Sequence, residues 1–160
     1  MLSAAAVVMC ALDILGRSHA LVPIEVMPNP PYNASRNAEA FLSREQQRIY
    51  LIAASSAFVA AQRGNDGFGS RAGCVKLASI IVHEEWHLRN GSDERGAYLA
   101  QLTLLAALGA NPAMISSVRQ SMVVAVERQR RRQRVQADDS CEPPLCLAEL
   151  DEQSSLSAAQ

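Results

Sequence analysis

Aromatic residues make up only 4% of this 160-residue chain, a scarcity that argues against a sandwich or barrel. Almost half of the chain is apolar, and much of that is alanine, which suits helices in close contact. The expected fold is mainly α, or α+β with one or two short strands. Neither sign of charge is in excess: the formal net charge is −1, so there is no general attraction to nucleic acid or anionic lipid. Among Cys10, Cys74, Cys141 and Cys146 there is no Cys-x-x-Cys pair, which excludes a cysteine-based zinc ribbon. No repeat is visible. A long hydrophobic run is missing too, since the longest, Leu2 to Leu15, is too short for a stable membrane span.

That run is interrupted only by Ser3 and Asp13, and Ser18-His19-Ala20 after it has the small-x-small form of a secretory cleavage site. No Lys or Arg precedes it, and Asp13 lies inside it. Residues 1–20 therefore read either as a signal peptide or as an N-terminal apolar helix of the fold. A signal implies an extracytoplasmic location, periplasmic or secreted. Cys141 and Cys146 would then close a short disulfide loop, Cys10 would leave with the leader, and Cys74 would be free or buried. Residues 21–135 form one expected domain, and the polar stretch 136–160, with Pro143-Pro144 and a Ser/Ala-rich end, reads as a disordered tail.

Pro23, Pro28, Pro30 and Pro31 make Leu21 to Tyr32 an extended connector with at most one edge strand. Ala38 to Gln47 suits a short helix. Arg48 to Ala53 has the content of a strand, and Ser55 or Ser56 caps a helix through Gln62. Four glycines between Gly64 and Gly73 predict a mobile loop. From Ala72 to Asn90 two apolar stripes, Val75, Val82, Trp86 and Leu77, Ile81, Leu88, predict a central helix that stops at Asn90-Gly91. A second helix follows from Glu94 to Leu108. A third starts at Asn111-Pro112 with Met114, Ile115, Val118, Met122 and Val126 inward.

The chemistry concentrates in His83-Glu84-Glu85-Trp86-His87. Two imidazoles one helical turn apart share a face, the separation at which two nitrogens meet one tetrahedral metal. Glu84 sits about 100° round the helix from His83, placed to reach a metal-bound water without itself ligating. Such a carboxylate suits general-base work. Over about twenty residues the sequence resembles the zincin superfamily of zinc metallopeptidases, with Glu85 a charged residue where that superfamily usually has an uncharged one. The resemblance implies a zincin-like active-site helix followed by two further helices. It also implies Zn2+ held by His83 and His87, Glu84 as catalytic base, and a peptide or protein substrate.

A third ligand should follow the turn, and Asp93 and Glu94 compete for the role. Asp93 lies six residues after His87, where some zincins place a His or Asp, but it also suits a helix N-cap. Glu94, Tyr98 and Gln101 share one face of the second helix, and Glu94 is the favoured ligand. Tyr98 suits a half-buried helix position or a group that orients a ligand, and Trp86 suits the core. His19 is assigned no role. Arg128, Arg130, Arg131, Arg132 and Arg134 complement a helix C-terminus, without the interleaved aromatics or module that nucleic-acid binding wants. Sequons occur at Asn33 and Asn90. A glycan on Asn90 would crowd the metal site, which favours a bacterial chain in which sequons are idle. The expectation is a zinc metallopeptidase; the alternative is a non-enzymatic exported helical protein that binds a metal or a partner.

Overall fold

The computed structural model describes residues 1–32, 38–63 and 68–139. The sequon at Asn33, the start of the Gly64 to Gly73 stretch and the Cys141–Cys146 pair lie outside the described residues. The architecture is mainly helical with a small sheet, in the order α1 (Ala4–Ile14), β1 (Ile24–Met27), β2 (Ala40–Ser43), β3 (Arg48–Ile52), α2 (Ser56–Gln62), α3 (Phe68–Asn90), α4 (Glu94–Ala107) and α5 (Pro112–Asp139). By its contacts the chain forms two units, Met1–Val123 and Val124–Gln160. The described part of the second is the C-terminal length of α5, where Arg131 Nε donates to Glu127 one turn earlier at 3.1 Å.

In the first unit α3 is the axis, because its apolar residues face two ways. Leu77, Ala78, Ile80 and Ile81 pack with Val7 and Ala11 of α1, Ile49 and Leu51 of β3, and Phe58 and Ala61 of α2. On another side, Val75 packs with Leu105 of α4 and Val118 of α5, flanked by Met114 and Ile115. Of the two stripes read from the sequence, Leu77 and Ile81 enter the first cluster and Val75 the second, while Val82, Trp86 and Leu88 are half-buried. Burying side chains of this size contributes about 1.5–3 kcal/mol each, so α3 is fixed far more firmly than helix propensity alone would allow.

The sheet has the order β1-β3-β2, with β1 parallel and β2 antiparallel to β3. The expected helix over Ala38 to Gln47 is absent. In its place β2 pairs with β3, and the chain turns through Arg44 to Gln47, the latter with φ +49°. Glu45, Gln46 and Gln47 favour helices, but Phe41 stacks on its cross-strand partner Tyr50 with ring centroids 4.9 Å apart, and such pairs override a weak local preference.

A second departure concerns the glycine-rich stretch, since α3 already begins at Phe68. Gly73 is helical, and a Cβ there would lie 2.3 Å from the backbone nitrogen of Ala61. Its missing side chain lets α2 and α3 meet backbone to backbone. It is a packing glycine, not a hinge.

The N-terminal apolar run is helical. Residues 4–14 form a helix capped by Ser3, with Val7 and Ala11 fully buried, and Cys10 is disulfide-bonded to Cys74 of α3. Just beyond the helix, Nη1 of Arg17 donates to both carboxylate oxygens of Glu85 at 2.8 and 2.7 Å, so α1 and the residues after it are tied to α3 at two levels. Among the described residues no helix is long and apolar enough to cross a membrane.

The disulfide spans a sequence separation of 64 residues, so replacing Cys10 or Cys74 with serine should lower unfolding stability by about 4 kcal/mol. Denaturant unfolding of each variant checks this, and wild type kept in excess dithiothreitol should unfold at the same midpoint as the variants.

Candidate metal centre

α3 reaches its C-terminus at the sequence Asn90-Gly91, as expected. Gly91 takes φ +88°, Asp93 accepts from the backbone N–H groups of Arg95 and Gly96, and α4 starts at Glu94. Asp93 is therefore the N-cap of α4. What lets α4 come so close is Gly96: a Cβ there would lie 2.2 Å from the Trp86 ring. Glu94, two residues earlier, is thereby brought over the two histidines.

Nε2 of His83 and Nε2 of His87 stand 3.2 Å apart. One carboxylate oxygen of Glu94 lies 3.7 Å from the first and the other 3.7 Å from the second. Two ligand atoms each at about 2.0–2.1 Å from a tetrahedral metal are about 3.3 Å apart, close to the spacing of the two nitrogens, and one oxygen of Glu94 lies within 4.8 Å of both. The three side chains form a group able to hold a metal ion. Both imidazoles are only 11% exposed and Glu94 is 34% exposed, which leaves the carboxylate side open to solvent.

Hydrogen bonding shows which atoms face the centre. Nδ1 of His87 is 2.8 Å from the carbonyl oxygen of Gly91, which can only accept, so Nδ1 carries the hydrogen and the neutral ring presents a bare lone pair at Nε2. Arg44, in the turn between β2 and β3, donates to the backbone carbonyl of His87 at 3.1 Å and holds that turn against the end of α3. The ring of Tyr98 meets His83 edge to face, with centroids 4.5 Å apart. Trp86 packs edge to face on His87 at 6.0 Å as well as covering Gly96.

The electrostatics follow from burial and crowding. Burial, and then the neighbouring His87, push His83 down to about 4, against the opposing pull of Glu94 and of the Gln101 side chain. His87 goes the other way. Burial works against its charged form, but Glu94, the carbonyl of Gly91 and Glu84 together outweigh it and raise its pKa.

Glu84 is not part of the metal group. Burial pushes its carboxyl up to about 7, with Glu94 adding to the effect while His87 and a backbone hydrogen bond from Leu42 oppose it. Strand alternation explains that bond. Ile52 donates to the carbonyl of Glu39, so by the antiparallel register Ala40 and Leu42 turn their backbone groups away from β3. The free edge of β2 therefore runs beside Glu84. Glu85, the charged residue at an unusual place in the motif, is 3% exposed and is satisfied by Arg17 and by the N–H of Leu21.

Sequence reading brought together His83, Glu84, His87 and Glu94. It did not find Gly96, Leu42, Arg44 or the Arg17 partner of Glu85. Of these only Gly96 left a local signal, a glycine in the first turn of a helix where helix propensity gives no reason for one. Two cavities are lined by neither His83 nor His87. One of about 380 Å³ is lined by residues that include Glu39, Ser55, Lys76 and Ser117, and one of about 390 Å³ is bordered by Val8, Leu12, Leu21 and Ile24.

The competing acids separate cleanly in a binding experiment. Glu94→Gln should weaken divalent-metal binding by at least about a hundredfold, since it removes a charged donor from a set of three. Asp93→Asn should leave metal affinity within about threefold and stability within about 0.5 kcal/mol, because asparagine caps a helix as well as aspartate does. Competition titration with a chromophoric chelator measures both.

Comparisons of the chain with family models, with curated proteins and with solved structures found no match.

Proposed function

We propose that this protein is a zinc-dependent hydrolase, a metallopeptidase in which His83, His87 and Glu94 hold Zn2+ and Glu84 is the catalytic base. The observation that carries the reading is the convergence of three acceptors, two imidazole nitrogens and a carboxylate, at 3.2–3.7 Å around one point beside a buried carboxyl that is not itself in the group. Nitrogen and oxygen donors at this spacing suit zinc. Among the described residues no fourth His, Cys, Asp or Glu joins the group. A structural zinc site would want four protein ligands, whereas three leave a position for water or substrate.

When bound, zinc supplies the Lewis acidity that polarises a substrate carbonyl and makes water easier to deprotonate. The rest belongs to the chain. Glu84 takes the proton from the attacking water and returns it to the leaving amine, and a carboxyl with a pKa near neutrality can hold and release a proton at working pH. The Gly91 carbonyl keeps His87 in the Nδ1–H tautomer, so Nε2 stays available. The hydrogen bond from Leu42 orients Glu84, and the open backbone edge of β2 beside it supports an extended peptide as the substrate.

We place the chain in an oxidising compartment outside the cytoplasm, and the Cys10–Cys74 disulfide supports this. Its half-cystine in the buried helix α1 also supports α1 remaining in the working protein.

Glu84→Gln keeps the size and much of the hydrogen bonding of the side chain but removes the base. Zinc content should stay at about one per chain while hydrolysis of an unfolded protein or a peptide library falls by at least about a hundredfold. A Glu84→Gln protein as active as wild type, or a wild type without zinc-dependent hydrolysis, would remove the catalytic reading and leave a metal-binding protein.

A further inference from the structure

His87 has a carbonyl to hold its ring; the corresponding atom of His83 has no such bond. Nδ1 of His83 is buried and, among the described residues, without a hydrogen-bond partner, although the imidazole is enclosed between α3 and α4. A ligand histidine left in this way can carry its hydrogen on either nitrogen, and only one of those tautomers leaves Nε2 bare. Something must choose.

The polar side chain placed to choose is Gln101. It is 3% exposed, it lies one helical turn after Tyr98, whose ring packs on His83, and its amide bonds Ser79, which stands one turn before His83 on the same face of α3. Its amide nitrogen lies 3.1 Å from Oγ of Ser79, while that hydroxyl lies 2.7 Å from the carbonyl of Lys76. A hydroxyl has one proton, and the Lys76 carbonyl, which can only accept, takes it. Ser79 must therefore accept from Gln101, which fixes the amide with its NH2 toward Ser79 and its carbonyl oxygen free. Ser79 is itself fully buried, so the orientation is enforced by the cost of leaving any member of the chain unpaired.

We infer that Gln101, oriented by Ser79, is the positioning residue of His83: its side-chain carbonyl accepts from Nδ1–H and so presents Nε2 to the metal. This rests on the metal centre proposed above, and it assigns α4 two tasks one face apart, Glu94 as ligand and Gln101 as support.

Two substitutions and one spectrum test it. Gln101→Met keeps the volume and removes the acceptor; Gln101→Glu keeps an acceptor. Imidazole 15N NMR of the metal-free protein at pH 8 should show His83 as the Nδ1–H tautomer in wild type and Gln101→Glu, and shifted toward Nε2–H in Gln101→Met, with His87 unchanged. Zinc affinity should fall by about ten- to a hundredfold in Gln101→Met and return to within about threefold of wild type in Gln101→Glu. A purely structural glutamine would lower unfolding stability in Gln101→Met while leaving affinity and tautomer as they were, and that result overturns the inference. So does a wild-type spectrum with His83 as Nε2–H, which needs no variant to fold. Failure of the metal centre looks different: wild type binds no zinc, yet His83 still reads Nδ1–H and loses that state in Gln101→Met.

Discussion

The approach of α4 to the C-terminal end of α3 is the constraint on which the rest depends, because it sets Nε2 of His83 and of His87, 3.2 Å apart, each 3.7 Å from a carboxylate oxygen of Glu94. The surrounding fold serves to keep these groups together. α3 is gripped from two sides by separate hydrophobic clusters. The Cys10–Cys74 bond and the Arg17–Glu85 pair hold α1 and the chain after it against α3. Gly96 allows α4 to close on Trp86, which brings Glu94 over the histidines.

The site divides its work by burial. His83 and Glu84 are both buried, and burial moves their pKa values in opposite senses, down for the imidazole and up for the carboxyl. Each is thereby held toward its neutral form in the metal-free protein, a low-charge arrangement that a divalent cation reverses by favouring the ionised carboxylate. Glu94 is the most exposed member of the group, so the carboxylate forms its solvent side.

Much of this was legible in the sequence because it is local. The helix through the motif, its stop at Asn90-Gly91, the start of α4 at Glu94 and the Asn111 cap of α5, which accepts from the N–H of Met114 at 2.8 Å, all follow from residues within a few positions of one another. The face shared by Glu94, Tyr98 and Gln101 follows from helical spacing alone, and it places the three beside the histidines. The failures are the long-range features. Ala38 to Gln47 reads as a helix until Tyr50 supplies a stacking partner for Phe41. The glycines before Cys74 read as a loop until Ala61 is known to lie against Gly73. The pairing of Cys10 with Cys74 joins residues 64 positions apart and has no local signal, and Glu85 reads as a misplaced charge until Arg17, 68 residues earlier, accounts for it.

The central claim is that His83, His87 and Glu94 bind one zinc ion with a position left over. X-ray absorption at the zinc edge of protein loaded with one equivalent tests this most directly. The account predicts a four-coordinate shell of nitrogen and oxygen at about 2.0 Å, with outer-shell scattering from two imidazoles and no sulfur. A shell containing sulfur, one without imidazole scattering, or one in which His83→Ala and His87→Ala leave the spectrum unchanged would contradict it.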